Sequence, residues 1–499
     1  FQDNLYFAAP KGIDEEGSLP EAARPPTFFL LTILIFICMK RNLFSKVFMT
    51  MTATAVMGLA SCSNDNDPAG GQEVPQGKAT TMKLLLDLNG TSTRAVADGN
   101  ATDDEKKIKD LTVFIYNANG ILESEQTVLF GTLTEGADNV FTTKALDATT
   151  GTKTIFVAAN ATTEIKQVMK ANTANGLSGR PLGAELSTIT ATDGFAMFST
   201  TGHTGDLVEV GDANYATNNN VKVTLQRLAS KVAVGMTAQL ANAGVQQGAA
   251  GEIADLKYTV DNINKNYFLT YGVTAAKDAN MTVDEYDKQA ATGFEMVADF
   301  TTAGIYNTIT PGLAYTAANG GNWGHKYAAE NLTTDKMIKG VTRIVVQGVF
   351  TPKMVITVGG NAGAWTFTEN AGVKGNTYKM LNVNGYAFFD AATTEEQLKA
   401  WLEEKAGVPT ADLDAEAAKV KTYTNGLNYW WVTVKNNQGD MLRNNFYKVD
   451  ITSIWAPGRT EGGFVDPDDN NQIDKETNIT VEVTVEPWNF VEFNADLRP

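Results

Sequence analysis

The sequence predicts a mainly-β protein: two Greek-key β-sandwich domains in tandem with short helical insertions. Three observations predict this fold. Short runs of alternating apolar and polar residues recur along the chain. Asn, Asp, Gly and Pro punctuate them as turn signals, and helical spacing with a cap is confined to a few short segments.

Residues 39–61 read as an export signal. Met39-Lys40-Arg41 is a basic start, Val47 to Leu59 a short apolar run, and Leu59-Ala60-Ser61-Cys62 a small-residue cut site ahead of polar Ser63-Asn64-Asp65. That is the layout of a bacterial lipoprotein signal over 39–61. Cys62 is its lipidation site, and the mature chain starts there. Residues 1–38 are read as upstream translation. The apolar run Phe28 to Cys38 is short against the ~20 residues of a membrane crossing. Lys40, Arg41 and Lys46 break any longer anchor running from Phe28 to Leu59.

Composition narrows the function classes. Beyond residue 61 the chain has room for two or three domains at ~150 residues each. Its only cysteines are Cys38 and Cys62, so the mature chain holds no disulfide and must fold by ordinary burial. A formal charge of −17 argues against nucleic acid and anionic membrane as partners, since both reward clustered Lys and Arg. The two histidines, His203 and His325, lack ligand spacing and read as isolated loop residues. No phosphate loop, nucleophile elbow or Cys-x-x-Cys occurs. The expectation is a protein that is not an enzyme and has no catalytic residues, metal or cofactor.

Residues 62–77 hold hardly an apolar side chain and form a tether. Met82, Leu84, Leu86 and Leu88 then alternate as a first strand, with Leu85 suggesting cover on its other face. A polar run, Asn89 to Asn100, follows and offers Arg94 to proteases. Further strands are expected at Asp110 to Asn117, closed by a turn at Asn119-Gly120, and at Lys153 to Ala159. A helix capped at Thr162 or Thr163 carries Ile165, Val168 and Met169 on one face. The polar stretch 205–220 suggests a domain boundary just before Val221, with strands at Val221 to Leu225 and Lys231 to Val234.

In the second domain, Arg343 to Phe350 and Lys353 to Val358 are expected to form a hairpin across Thr351-Pro352. Strands follow at Thr377 to Val383 and Tyr429 to Lys435. Two short helices lie between them, Thr394 to Lys405 and Thr410 to Val420, the first with a capping box from Thr393 to Glu396 and a stop at Gly407. The last strands are Asn445 to Ile454 and Ile479 to Glu486, separated by an acidic stretch.

Two constellations invite a ligand. Asp466 to Asp474 places oxygen ligands at alternating positions, but it lacks the glycine and glutamate of a full calcium loop and reads as a solvated linker. Tyr429-Trp430-Trp431 is a candidate sugar platform. Alternate strand residues point to opposite faces, so core packing is the preferred reading. The terminal strand sets Val481, Val483 and Val485 on one face behind a ~20-residue leash, longer than usual connections. Such a strand can pair elsewhere or fold back on its own domain.

The chain resembles the fimbrial subunits of Bacteroidales, the fimbrillin family, and most of all the shaft pilins of the short fimbriae. The residues that carry the likeness are the Cys62 lipobox, Thr93-Arg94-Ala95, Leu111 to Tyr116, Ile155 to Asn160, and Val221 to Val234 with Arg227. The strongest are Leu442 to Ile454 and Val481 to Trp488. Gly235 to Asn331 does not align. The resemblance implies transthyretin-like sandwiches at 95–220 and 221–499, with 62–94 as tether and removable first strand.

The resemblance further implies an outer-membrane lipoprotein precursor that is cut between Arg94 and Ala95 by an Arg-specific protease. Loss of Met82, Leu84, Leu86 and Leu88 opens a groove, and Val481, Val483, Val485 and Trp488 of another copy fill it by strand addition. The implied partners are copies of itself, anchor and tip subunits, and host or bacterial surface ligands. The implied place is an extracellular fimbrium serving adhesion and biofilm formation. The alternatives are a tip or anchor subunit, a surface glycan-binding lipoprotein and, more weakly, a hydrolase.

Overall fold

A computed structural model describes residues 77–87, 101–136, 140–179, 181–183, 185–199, 201–236, 251–270, 294–295, 297–310, 324–331, 340–358, 364–369, 373–383, 385–433, 441–454, 456–463 and 479–487, all within one unit, 75–499. Cys62, Leu88, Arg94, Ala95, Trp488 and the acidic run 466–474 lie outside the described residues.

Alternation builds the first strand, β1 (Ala79–Asp87), whose Met82, Leu84 and Leu86 are fully buried while Lys83 is exposed and Leu85 half-buried. A one-turn helix, α1 (Asp103–Lys106), leads into β2 (Asp110–Tyr116), β3 (Leu122–Leu129), β4 (Val140–Thr142), β5 (Leu146–Thr149) and β6 (Gly151–Ala159). After α2 (Thr163–Ala171) come β7 (Met197–Phe198), β8 (His203–Leu207), β9 (Asn220–Thr224) and β10 (Gln226–Arg227). One sheet runs β9-β1-β4, with β5 continuing along β1. A second runs β10-β7-β6-β2-β3, with β8 also on β6. The Thr162 hydroxyl caps α2 and buries Ile165 and Met169, as its spacing predicts.

β11 (Ala229–Met236) is buried at every residue, polar ones included. It shares a sheet with β13 (Lys326–Ala329), β21 (Asn445–Ile454) and β22 (Ile479–Pro487), in the order β13-β11-β21-β22. β12 (Gly251–Asp261), β14 (Arg343–Pro352) and β20 (Leu427–Val432) lie side by side in another sheet. A continuous apolar cluster joins these four sheets, from Met82 and Leu84 through Val113 and Val232 to Tyr447 and Val483.

Between β14 and β20 the chain builds a lobe. β15 (Met354–Val358), β16 (Trp365–Glu369), β17 (Tyr378–Asn382), β18 (Tyr386–Asp390) and β19 (Lys421–Tyr423) form a sheet in the order β16-β15-β18-β17-β19. Helices α3 (Glu395–Glu404) and α4 (Leu413–Ala417) cover it through Leu398, Leu402 and Leu413, packed with Ile356 and Phe389.

Three expectations change. The hairpin across Thr351-Pro352 does not form: β14 pairs with β12 and β20, whereas β15 pairs with β16 and β18 in the lobe. Tight hairpin turns need positive φ at a central residue, which proline's ring forbids and threonine resists. The changeover between sheet pairs falls between Arg227 and Ala229, beyond Val221, because β9 and β10 pair with β1 and β7. The polar stretch before Val221 holds β8 and a loop joining strands of the same layers. The capping box of α3 is Thr394 with Gln397, one residue past the expected pair. Gly407 does adopt positive φ where that helix ends.

A candidate strand-exchange groove

β1 is an inner strand. β9 flanks it in parallel, with Leu84 beside Val221 and Leu86 beside Val223. On the other side β4 and β5 run antiparallel to it, Leu86 facing Phe141 and Met82 facing Leu146. Removing such a strand opens a slot walled by two ladders and floored by buried apolar side chains.

Polar fittings line the slot. Between β4 and β5 the ladder is interrupted, and Thr143 bridges the break. Its hydroxyl accepts from Leu84 N at 3.0 Å, and its own N donates to Leu84 O at 3.1 Å. Across the strand, Asn219 is wholly buried. Its Nδ2 donates to Thr81 O at 2.7 Å and Val208 O at 3.0 Å, its Oδ1 accepts from Val208 N, and its carbonyl accepts from Lys83 N at 2.8 Å. The Thr80 hydroxyl adds a bond to Val208 O at 2.7 Å, and that of Thr81 meets Tyr215 Oη at 2.6 Å.

The terminal strand β22 lies on its own subunit. It pairs antiparallel with β21, Val481 beside Ile451, Val483 beside Val449 and Val485 beside Tyr447. Val483 is buried and Val481 half-buried, both against the main core. β22 stands at the end of its sheet, and among the described residues its only ladder partner is β21.

Just downstream of the described part of β1, α1 carries a buried carboxylate that ties the two sheet pairs together. Glu105 closes a capping box with Thr102 and accepts from Tyr327 Oη at 2.6 Å. Arg227 Nε donates to the Glu105 carbonyl at 3.0 Å, and Lys231 pairs with its side chain. Burial pushes the Glu105 carboxyl up, but the Lys231 ammonium and the bonds from Tyr327 and Thr102 together hold it below its ordinary value. His325 Nε2 sits 2.7 Å from Tyr327 Oη and 3.5 Å from Glu105 Oε1. Burial, aided by Lys231, depresses its imidazole to about 4.

The histidines are therefore not isolated loop residues. His203 begins β8 opposite Ile155, and His325 belongs to the Glu105 cluster. Sequence reading missed Glu105, although Thr102-Asp103-Asp104-Glu105 spells a capping box. It also missed Thr143 and Asn219, whose roles depend on a ladder break and a loop contact that no local pattern encodes.

Tyr429, Trp430 and Trp431 are all buried. Tyr429 and Trp431 pack on one side of β20 and Trp430 on the other, as alternation predicts. The indole nitrogens donate to Ala456 O and Gly462 O, and the Arg343 and Arg459 guanidinium groups lie over the Trp431 ring. This triplet offers no open sugar platform. Among the described residues no cluster of His, Cys, Asp or Glu is arranged to hold a metal, and no helix is long and apolar enough to cross a membrane.

Residues 80–283 match the family model described as major fimbrial subunit protein (FimA). Residues 421–494 match the one described as major fimbrial subunit protein type IV, fimbrillin, C-terminal. No curated protein matches the sequence. Among solved structures, a fimbrilin (FimA) of Porphyromonas gingivalis W83 aligns at 16% identity and TM-score 0.42 over 84% of this chain and 99% of that one. A fimbrial assembly protein of Parabacteroides distasonis aligns at 11% and 0.34 over 82% and 96%. The tip fimbrial protein Mfa3 of Porphyromonas gingivalis aligns at 12% and 0.30 over 82% and 100%.

Proposed function

The chain belongs with the fimbrillin family of fimbrial subunits, and from that membership we propose that it is a structural pilin assembled by strand exchange. Cys62 is lipidated, and the lipidated precursor reaches the outer membrane. Cleavage between Arg94 and Ala95 then frees β1, and β22 of another copy takes its place. The product is a cell-surface fimbrium, whose anchor and tip subunits, and the surface ligands it adheres to in biofilms, complete its partners.

One contrast between the two strands supports this most. Among the described residues β1 has ladder neighbours on both sides, whereas β22 on its own subunit has one. A β22 that moves into a vacated groove exchanges one ladder for two. Each added hydrogen bond contributes roughly 0.5–1.5 kcal/mol net. The strands also match in length, Ala79–Asp87 and Ile479–Pro487 each having 9 residues, and each carries apolar residues at alternate positions. Glu105 anchors the chain beyond the cut, so loss of β1 leaves β2 attached to the core.

The experiment is to isolate the protein from cells, sequence its N-terminus and run it unheated on a denaturing gel. An N-terminus at Ala95 with a ladder of high-mass species is expected, and Arg94→Ala should abolish both. Normal fimbriae from Arg94→Ala subunits would remove proteolysis from the mechanism.

A further inference from the structure

The groove holds β1 by its main chain, and this has consequences for what can replace it. Thr143 takes the N–H and C=O of one residue, Leu84. Asn219 takes the C=O of Thr81 and the N–H of Lys83. These four bonds ask nothing of the side chains above them, so a strand of different sequence satisfies them equally. With the groove empty, the Thr143 hydroxyl and N–H, the Asn219 carbonyl and its Nδ2 face water in place of β1, and a strand that enters must replace those bonds or leave the groups buried and unpaired. The fittings thus accept any extended strand with an N–H where Leu84 has one and penalise a strand that lacks it.

Resting on the strand-exchange reading, we propose that Thr143 and Asn219 form a main-chain clamp for β22 of a second copy, which docks with Val483 in the place of Leu84. Two constraints fix that position. Side-chain alternation restricts the residue at Leu84's place to the apolar set Ile479, Val481, Val483, Val485 and Pro487, and proline has no N–H for the Thr143 hydroxyl. Among the rest, only Val483 centres the strand: it is the middle of Ile479–Pro487, while Leu84 lies near the middle of Ala79–Asp87. A two-residue slip either way leaves groove positions unpaired at one end and donor residues overhanging at the other. The central register is the same whichever way the incoming strand runs.

Differently tagged Val221→Cys and Val483→Cys subunits, processed and assembled together, test the register with a short bismaleimide, since Val221 flanks Leu84. Cross-linking between copies should exceed that of Val221→Cys with Val481→Cys or Val485→Cys by about tenfold, because a slip forfeits ladder hydrogen bonds. Ladders whose main cross-link joins Val221 to residue 481 or 485 overturn the register. For the clamp, Thr143→Val should lower the temperature at which ladders dissociate, and Thr143→Ser should restore it. Ladders unchanged by Thr143→Val and by Asn219→Leu overturn the clamp while leaving exchange intact. If unsubstituted subunits form no ladder, strand exchange itself fails and the register with it.

Discussion

Lys231 Nζ stands 3.0 Å from Glu105 Oε1 and 3.1 Å from Oε2, in a site where neither side chain is more than 3% exposed. Lys231 lies on β11 of the second sheet pair and Glu105 on α1 beside the first. The pair therefore pins α1 to the junction of the two.

Glu105→Ala should be severe. It leaves the Lys231 ammonium buried without its counter-charge, a change that costs about 3–5 kcal/mol in comparable sites. Urea unfolding should show a much lower midpoint with little change in slope. A midpoint within experimental scatter of the parent would show that the ion pair does not hold this junction.

The same cluster predicts sensitivity to acid. Burial, with Lys231 and Lys326 beside it, lowers the His325 imidazole to about 4 in the folded chain against 6.5 ordinarily, and Glu105 opposes the shift. Between those values the unfolded chain binds the extra proton, so stability falls as pH drops from 6.5 toward 4, by at most roughly 3 kcal/mol. Glu105 has a lowered pKa, so its contribution is present above the ordinary value of 4.5 and is lost as pH falls through the folded value. Unfolding midpoints at pH 7 and pH 4.5 should differ in the parent and differ less in His325→Gln.

Val481→Asp with Val483→Asp should prevent assembly while leaving a cooperative, somewhat less stable monomer. Each valine contributes ~1.5–3 kcal/mol when buried, but β22 is an end strand on its own subunit and can detach without breaking the sheet it borders. Thermal unfolding and gel ladders measured side by side decide it. Loss of the monomer's cooperative transition would assign β22 to its own core.

Cys62→Ala should yield an unlipidated, mislocalised chain. Labelled palmitate incorporated equally by parent and variant would refute the lipidation site.

What the sequence revealed and what it hid follow from the range of the forces involved. The bounds of β21, Asn445 to Ile454, were legible to the residue because alternation over ten positions leaves little freedom. The Thr162 cap and the buried faces of β1 and β20 were equally local. The sheet exchange after Pro352 was hidden because partner choice depends on strands β12 and β18, far along the chain. A lysine in an alternating strand ordinarily faces solvent, and the burial of Lys231 is matched by Glu105, 126 residues earlier. Thr143 was one threonine among many until the ladder break beside Leu84 gave it a task.

The lobe between β14 and β20 has a consequence of a different kind. Those two strands are direct neighbours, Val349 beside Leu427, so the chain leaves and re-enters the sheet at adjacent points. Closing a longer excursion costs only logarithmically more, and the lobe keeps its own packing around Phe389, Leu398 and Leu402, seated on the sheet through Phe350 against Tyr378 and Phe388. Its strands up to Asp390 and both helices fall between the two stretches that match fimbrial family models, 80–283 and 421–494. In the strand-exchange proposal, groove and terminal strand each fit another copy, so a change in either demands a compensating change elsewhere. The lobe packs around its own cluster and meets the sheet through Phe350, so a substitution around Phe389 or Leu402 finds its compensation within the lobe itself.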